Sequence, residues 1–225
     1  MTDKVLFITG ASSGIGAATA RQAASAGWRV ALFARNHDKL RDLSGEIGKD
    51  SALALGGDVT DLDSLHRAIG KTVAHFGGVN AVFANAGTGL DTPGIEHGDP
   101  EEWRGMIGVN ILGPLLTLKA AYGALKVSKG HFVVTGSAAG RRHIPGSVYG
   151  ASKWFVHGLA GNVAEEMRAW GGRATVIAPG MVDTPFFEQP KPDKLKPDDV
   201  ARAVLYALEQ PRHANVQEIF VMPTG

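Results

Sequence analysis

Short, almost wholly apolar runs alternate with longer segments of helical periodicity from one end of the chain to the other. Apolar runs without polar alternation are typical of strands covered on both faces. Strand and helix alternation of this kind predicts an α/β fold with a parallel sheet and right-handed crossovers. The predicted strands are Val5–Thr9, Arg29–Ala34, Ala52–Leu55, Ala81–Ala84, His131–Thr135, Ala174–Ala178 and Glu218–Met222. The predicted helices are Gly14–Ala26, Asp38–Ile47, Asp63–Phe76, Pro100–Lys126, Val148–Trp170 and Pro197–Gln210.

Length and composition narrow the function classes. A length of 225 residues suits one α/β domain, so we predict a single folding unit over residues 1–225. Cysteine is absent and no histidine pair has metal-ligand spacing, so neither thiolate chemistry nor a metal is expected. Because the net charge is +1 without a block of like charge, neither nucleic acid nor a membrane is an expected partner. No secretory leader and no apolar run of bilayer length is recognised, which favours a cytoplasmic location.

A glycine-rich turn follows the first predicted strand and opens a helix. Glycine permits close approach of the backbone to a ligand, and a helix N-terminus presents N–H groups and a positive dipole end to phosphates. An ordinary strand-to-helix turn has the same composition, so its place after the first strand is what favours a dinucleotide. The turn reads Thr9, Gly10, Ala11, Ser12, Ser13, Gly14, Ile15 and Gly16.

The ends of the next three strands carry further candidates for cofactor contacts. The second strand ends at Ala34 and Arg35, where an acidic residue would bind the ribose hydroxyls of NAD and an arginine can pair with a 2′-phosphate. We therefore predict NADP(H), although a solvated surface arginine is the plain alternative. Asp58 and Val59 are candidates for the adenine, but Asp58 could equally be a turn residue. The fourth strand ends in Asn85, Ala86 and Gly87, at the edge where such sheets bind ligands.

Four polar residues are candidates for the chemistry. Tyr149 and Lys153 are four residues apart on a predicted helix and so share a face. A neighbouring ammonium and a cationic nicotinamide both favour the phenolate, so we expect Lys153 and the bound cofactor to bring the pKa of Tyr149 nearer the working range. Ser137 follows a strand and could hold a substrate oxygen or simply make a turn. Asn110 lies inside a helical pattern and could hold a water, bend the helix or be a satisfied core amide.

Two other features concern access and assembly. The irregular segment Met181–Lys196, which holds three prolines and two adjacent phenylalanines, is predicted to be a lid rather than a linker. The helices Pro100–Lys126 and Val148–Trp170 are apolar beyond a single stripe, which predicts a homo-oligomer, at least a dimer, that covers them.

A set of histidines is expected at surface or cap positions: His37, His66, His75, His97 and His157.

In their order and spacing these motifs resemble those of the short-chain dehydrogenases/reductases over nearly the whole chain. The resemblance implies a three-layer, doubly wound Rossmann fold with a seven-stranded parallel sheet in the order 3-2-1-4-5-6-7, and a homotetramer. It implies that Tyr149 is the general acid, that Lys153 assists it and binds the nicotinamide ribose, that Ser137 holds the substrate oxygen, and that Asn110 anchors a relay water. It implies that the cofactor contacts include Gly10, Ser12, Ser13, Gly14, Ile15, Gly16, Arg35, Asp58, Val59, Asn85, Ala86, Gly87, Tyr149, Lys153, Pro179, Gly180, Val182 and Thr184.

Three departures from the family pattern are noted. Ala84 stands where an asparagine is usual, the interval between Ser137 and Tyr149 is one residue short, and a C-terminal segment that often closes the pocket is expected to be missing. The predicted activity is hydride transfer between NADP(H) and a small carbonyl or alcohol, with 3-hydroxy acids such as serine among the candidates. The alternatives are a non-catalytic dinucleotide sensor, which typically loses the tyrosine or lysine, and a sugar-nucleotide epimerase, which usually needs a further substrate domain.

Overall fold

A central parallel sheet of seven strands confirms the predicted fold class and strand order. The computed structural model describes residues 4–224, so the N-terminal residues 1–3, where no leader was recognised, and Gly225 lie outside it. The sheet order is β3-β2-β1-β4-β5-β6-β7, and each neighbouring pair is parallel. The strands are β1 Lys4–Thr9, β2 Trp28–Ala34, β3 Ala52–Gly56, β4 Ala81–Ala84, β5 His131–Thr135, β6 Arg173–Pro179 and β7 Glu218–Val221.

The helices lie close to their predicted bounds, with one division. The predicted helix Pro100–Lys126 is interrupted by a π-helical turn at Gly108–Leu112, and a short 3₁₀ helix, Ala138–Arg141, follows β5. The α-helices are α1 Gly14–Ser25, α2 His37–Ile47, α3 Leu62–Phe76, α4 Pro100–Ile107, α5 Gly113–Ser128, α6 Val148–Arg168 and α7 Pro197–Glu209.

Side-chain caps fix where several of these helices begin. The side chains of Asn36, Asp61 and Asp99 accept hydrogen bonds from main-chain N–H groups in the first turns of α2, α3 and α4. Ser147 does the same for α6 through a 2.9 Å bond from the Gly150 N–H. Such caps satisfy N–H groups that have no partner within the helix. The N-cap of α6 is therefore fixed at Ser147, two residues before Tyr149.

The core consists of two apolar layers, one on each face of the sheet. Along β1, Val5 and Phe7 belong to one layer, while Leu6 and Ile8 belong to the other. The first layer is completed by α3, α5 and α6, and the second by α1, α2 and α7. Because both faces are covered, the strands are apolar throughout, as the sequence pattern indicates.

One helical run corrects an expectation. The segment Pro100–Ser128 is long enough to pass for a bilayer span, and an 18-residue window within it, with a mean hydropathy of 1.2, is apolar enough by composition. A core helix can have the same properties, and here Leu118, Ala121 and Leu125 are buried in the layer that covers the sheet. The statement that no run reaches bilayer length was therefore wrong, although the segment packs within the fold.

Candidate active site

The carboxyl ends of the strands open onto a cleft of about 1760 Å³, the position at which open α/β sheets bind ligands. Two predicted site residues, Gly16 and Asn110, lie beneath the cleft wall. The structure brings the other predicted site residues to its lining: Gly10, Ser12, Ser13, Gly14, Ile15, Arg35, Asp58, Val59, Asn85, Ala86, Gly87, Ser137, Tyr149, Lys153, Pro179, Gly180, Val182 and Thr184.

The glycine turn between β1 and α1 is shaped for a phosphate. Gly10 and Gly14 have φ values of 65° and 52°, a region that favours glycine. A Cβ on Gly10 would lie 2.9 Å from the Ala86 Cα, so a side chain there would collide with the β4 end. The Ser13 side chain makes no capping hydrogen bond, which leaves the first-turn N–H groups of α1 to a ligand. These residues fit a dinucleotide pyrophosphate.

Gly16 has a packing role in the same turn. A Cβ at this position would lie 2.3 Å from the Gly10 carbonyl oxygen. Its missing side chain therefore lets α1 pack directly on the turn that it follows. Gly16 is buried, so it supports the shape of the predicted cofactor site from below.

Asn85 joins three strand ends. Its side-chain amide donates to the carbonyl oxygens of Thr9 at 3.2 Å and Gly10 at 3.3 Å, and its Oδ1 accepts from the Thr135 hydroxyl at 3.1 Å. Its own N–H donates to the Thr9 hydroxyl at 3.0 Å. One asparagine thus links the ends of β1, β4 and β5, while Ala84, where the family pattern has an asparagine, is buried in β4.

The far end of the cleft carries the residues predicted to select the cofactor. Arg35 is exposed at the cleft directly after β2. Asp58 accepts hydrogen bonds from the N–H of Thr60 at 2.9 Å and from its hydroxyl at 2.8 Å. Asp58 is therefore at least a turn residue, the alternative that its sequence position left open. Val59 beside it is buried.

Tyr149, Lys153 and Ser137 meet at the middle of the cleft. The Tyr149 and Ser137 side chains lie close enough for Ser137 to affect the pKa of the phenol, and the Ser137 Oγ accepts from the Ala139 N–H at 3.1 Å. Lys153 Nζ lies 5.7 Å from the centre of the Tyr149 ring and donates to the Thr135 carbonyl oxygen at 2.9 Å. The Tyr149 phenol, the Lys153 amine and the Ser137 hydroxyl thus lie around one position in the cleft, an arrangement that suits proton transfer to or from a substrate oxygen.

The electrostatics of this group differ from the expectation as long as no cofactor is bound. Desolvation raises the pKa of Tyr149, and the interaction with the Ser137 side chain opposes this only in part. Burial also lowers the pKa of Lys153 to about 8. The protein residues alone therefore do not lower the pKa of Tyr149, because desolvation of the phenolate outweighs the Ser137 interaction. They keep the phenol neutral, which is the form that can donate a proton.

Asn110 lies in the π-helical turn and is buried at 1% exposure. Its Nδ2 donates to the carbonyl oxygen of Thr88 at 2.9 Å and its Oδ1 accepts from the N–H of the same residue at 2.9 Å. A further contact of 3.3 Å joins Nδ2 to the Ser152 hydroxyl. A Cβ on Gly87 would lie 3.5 Å from Asn110 Oδ1 and 3.9 Å from Lys153 Nζ. The amide is satisfied, and the missing side chain of Gly87 leaves space between it and the lysine.

The segment 181–196 reaches across the cleft. Its base is closed by a bridge between Val182 and Leu195. The Phe186 ring lies 5.8 Å from the Tyr149 ring, and Thr184 stands 3.2 Å from the position of a Cβ on Gly14. The segment therefore touches both the predicted phosphate turn and the predicted proton donor.

Sequence reasoning missed the substrate side of the cleft and misplaced one histidine. That side is lined by residues from loops and from α4, which carry no motif: Leu90, Pro93, Met106, Arg142 and Ile144. His157, expected at the surface, is 4% exposed. It lies on the buried face of α6, beside Val156 and Ala160, and its ring extends into a space left by Gly136 and Gly140.

The family model described as short chain dehydrogenase matches residues 4–195. An uncharacterized oxidoreductase of Staphylococcus aureus strain MRSA252 is 39% identical over 228 residues, covering 99% of this chain and 98% of the relative.

Solved structures are similar over almost the whole chain. An alcohol dehydrogenase from Thermococcus sibiricus, complexed with 5-hydroxy-NADP, is 35% identical with a TM-score of 0.90 and covers 98% of this chain and 97% of its own. A 3-ketoacyl-(acyl-carrier-protein) reductase from Brucella melitensis, complexed with NADH, is 26% identical with a TM-score of 0.89 over 98% of each chain. A serine dehydrogenase from Escherichia coli is 27% identical with a TM-score of 0.88 over 97% of each chain.

Proposed function

This chain belongs to the short chain dehydrogenase family, and we propose that it is an NADP(H)-dependent oxidoreductase of small carbonyl and alcohol substrates. The observation that carries the proposal is the meeting of Tyr149, Lys153 and Ser137 in one cleft, with the Lys153 Nζ 5.7 Å from the centre of the Tyr149 ring. A protein that only sensed a dinucleotide would have no use for a desolvated acid and amine beside the binding cleft.

Arg35 supports the choice of NADP(H) over NAD(H). Ala34 and Arg35 occupy the end of β2, and the guanidinium is exposed at the cleft, free to approach a 2′-phosphate. The Thermococcus sibiricus enzyme was solved with an NADP derivative and the Brucella melitensis enzyme with NADH, so the fold accommodates either cofactor. The assignment to this chain therefore depends on the arginine.

The chemistry divides among four side chains. The bound dinucleotide supplies or accepts a hydride. Tyr149 donates its phenolic proton to the substrate oxygen during reduction and receives it during oxidation. Ser137 donates a hydrogen bond to the same oxygen and holds it beside the phenol. Lys153 stabilises the phenolate left behind, and Asn110, across the space at Gly87, anchors a water that returns the proton.

Substrate size and charge follow from the cleft wall. Apolar residues and the exposed Arg142 line the cleft around Tyr149, although Asp91, Glu102, Glu188 and Lys191 line it as well. An arginine can bind a carboxylate through two parallel hydrogen bonds. Together with the similarity to the Escherichia coli serine dehydrogenase, this supports small hydroxy acids, including 3-hydroxy acids, among the substrates. The segment 181–196 would then act as the lid that excludes water.

Assembly and location complete the proposal. Leu112, Trp154 and Phe155 are 47%, 40% and 38% exposed, although all three are large and apolar. These exposed apolar groups lie on the helical run 100–128 and on α6, and they favour a two-fold contact of this surface with a second copy. A homotetramer is the proposed assembly. We assign the enzyme to the cytoplasm, which fractionation of cells that express it would test.

A substrate panel tests the function directly. NADPH oxidation is followed with small ketones, aldehydes and keto acids, and NADP⁺ reduction with 3-hydroxy acids, each for the wild-type chain and Tyr149→Phe. Turnover by the wild type that collapses in Tyr149→Phe is expected. NADPH binding without turnover of any substrate would overturn the proposal and favour a dinucleotide sensor.

A further inference from the structure

A buried histidine lies directly under the loop that carries Ser137. His157 follows Lys153 by one turn of α6, and its ring is 4% exposed. Its Nε2 lies 3.1 Å from the carbonyl oxygen of Ser137 and 3.4 Å from the nitrogen of the same residue. Both main-chain groups of the predicted substrate-binding serine thus face one imidazole nitrogen.

The backbone around Ser137 leaves room only for this ring. A Cβ on Gly136 would lie 2.7 Å from His157 Nε2, and a Cβ on Gly140 would lie 2.6 Å from its Cδ2. Real Cβ atoms do not approach other atoms so closely, so a side chain at either glycine would collide with the imidazole, and also with Val176 Cγ2 at 2.6 Å from Gly136 or the Lys153 carbonyl oxygen at 2.8 Å from Gly140. The turn that carries Ser137 is therefore wrapped around His157, and its shape depends on what fills that space.

The other edge of the ring is tied to the last strand. His157 Nδ1 lies 2.7 Å from an oxygen of Glu218, the first residue of β7. Glu218 also accepts two hydrogen bonds from Arg141, at 3.1 Å and 2.7 Å. Arg141 ends the short 3₁₀ helix that begins after Ser137. Both ends of that helix are thus held through Glu218, one directly and one through His157.

The backbone conformation of Ser137 explains why such support is useful. Its φ of −168° and ψ of 155° are those of an extended strand residue, yet it lies past the end of β5. An extended residue directs its N–H and its carbonyl oxygen toward the same side, where a neighbouring strand would normally bond both. The imidazole nitrogen occupies that place.

We propose that His157, oriented by Glu218, is a positioning residue that holds the Ser137 hydroxyl beside Tyr149. This inference rests on the proposed function, since the role of Ser137 is part of it. Nε2 lies closer to the Ser137 carbonyl oxygen, at 3.1 Å, than to the Ser137 nitrogen, so the ring holds this backbone by donating from Nε2, while the Glu218 carboxylate lies 2.7 Å from Nδ1. The charged groups that face the ring are Glu218 from β7 and Arg141 from the 3₁₀ helix.

The test compares His157, which lies under the loop after β5, with His131, a second buried histidine at the start of β5. His157→Leu removes the polar edge while keeping an apolar filling, and His157→Gln keeps an amide that can reach the Ser137 backbone. The matched control is His131→Gln, since His131 is buried at the opposite end of β5 and contacts Thr175. Steady-state kinetics with NADPH and hydrogen exchange of peptides covering 136–141 are measured for each variant.

The expected kinetic result is a roughly 10- to 100-fold lower kcat in His157→Leu, because small displacements of a positioning group cost about that much. The KM for NADPH is expected to stay within about threefold, since the glycine turn is untouched. Activity is partly rescued in His157→Gln and unchanged in His131→Gln. Exchange across 136–141 becomes faster in His157→Leu alone.

A double-mutant cycle with Ser137→Ala decides whether His157 acts through the serine. If it does, His157→Leu adds little to the loss already caused by Ser137→Ala. Losses that multiply, or unchanged exchange at 136–141, would overturn the inference. If the wild type turns over no substrate, the proposed function fails, and the exchange data still decide the positioning. Should His157→Leu not fold, Glu218→Gln replaces it, with the same expected loss of kcat.

Discussion

Lys153 Nζ donates a 2.9 Å hydrogen bond to the carbonyl oxygen of Thr135, the last residue of β5. The lysine of the candidate site is therefore held by the main chain of the strand that leads into Ser137, and not by a carboxylate. A buried ammonium without a carboxylate partner remains costly, and burial lowers the pKa of Lys153 to about 8. The site thus includes a group that weakens the fold.

The first prediction follows from that cost. Lys153→Met should abolish most turnover. It should also raise the free energy of unfolding at pH 7 by about 1–3 kcal/mol, because the cost of burying the ammonium, about 1.4 kcal/mol for each unit of pKa shift, is removed while one hydrogen bond is lost. The folded pKa is depressed below the ordinary 10.5, so the wild type gains stability as pH rises from about 8 to 10.5. The difference between the two proteins should therefore shrink in that range. Urea unfolding at pH 7 and pH 10 measures it.

The matched control is Lys71→Met, because Lys71 is exposed on α3. It should change neither turnover nor the dependence of stability on pH. A buried lysine that stabilises the fold would give the opposite result at position 153, namely a loss of stability at pH 7.

The second prediction concerns the proton donor. Tyr149→Phe removes the phenolic hydroxyl but keeps the ring that contacts Phe186. We expect kcat to fall by roughly 10²- to 10⁴-fold, the usual contribution of a general acid, with the Kd for NADPH within a few-fold. Fluorescence titration of NADPH and steady-state kinetics separate the two effects. Near-normal turnover would mean that the proton comes from another group.

The third prediction concerns cofactor choice. Arg35→Ala should lower kcat/KM for NADPH by roughly 10- to 100-fold, because a charge-assisted bond to phosphate is worth about 1.5–3 kcal/mol. The value for NADH should change little. Arg41→Ala serves as control, since that arginine is exposed on α2 and pairs with Asp38. An unchanged preference in Arg35→Ala, or a wild type that prefers NADH, contradicts the prediction.

The fourth prediction concerns the segment 181–196. Phe186→Ala should raise the KM for substrate more than the KM for NADPH, because Phe186 packs against the Tyr149 ring and Gly89 at the substrate side. Hydrogen exchange across 181–196 should slow when NADP⁺ and an alcohol substrate are added together. Val127→Ala, a change at an apolar residue that is 89% exposed, provides the control. Hydrogen exchange across 181–196 that does not change when both ligands are added would show that the segment is not a lid.

The fifth prediction concerns assembly. Light scattering behind size exclusion should give a multiple of 23.6 kDa, with four copies expected. Leu112→Glu or Phe155→Glu should lower that mass, since each places a charge on the exposed apolar face. Tyr206→Glu changes an aromatic residue that is 58% exposed on α7, on the other side of the sheet, and should leave the mass unchanged. A wild-type mass of one chain would end the proposal.

The sequence predicted the strands well because their apolar runs have clear ends. β4 and β5 match their predicted bounds, and β6 extends one residue beyond the prediction at each end. Strand order could not follow from periodicity, since every interior strand has the same pattern. It was predicted only through the resemblance to a family, and the structure confirms it.

The candidate site was predicted in its residues but not in its environment. The main error was at His157, whose burial depends on Gly136 and Gly140 leaving space from another part of the chain. The periodicity of α6 puts His157 in register with Lys153, Ala160 and Ala164, which indicates burial, but it does not show the space that accommodates the ring. Desolvation of the Tyr149 hydroxyl could not be predicted either, because it depends on which elements pack around it.

The π-helical turn at Gly108–Leu112 has a consequence for how this chain can change in length. Such a turn is in effect an α-helix with one residue inserted, and each residue advances the helix by about 100°. Deleting one residue there would restore a regular helix and rotate α4 against α5 by that angle. Either Asn110 would leave Thr88, or Leu118 and Leu125 would leave the core. Single-residue gaps among homologous chains should therefore fall in the loop 88–99, and an alignment that opens one between 108 and 112 would misplace every residue on one side of it.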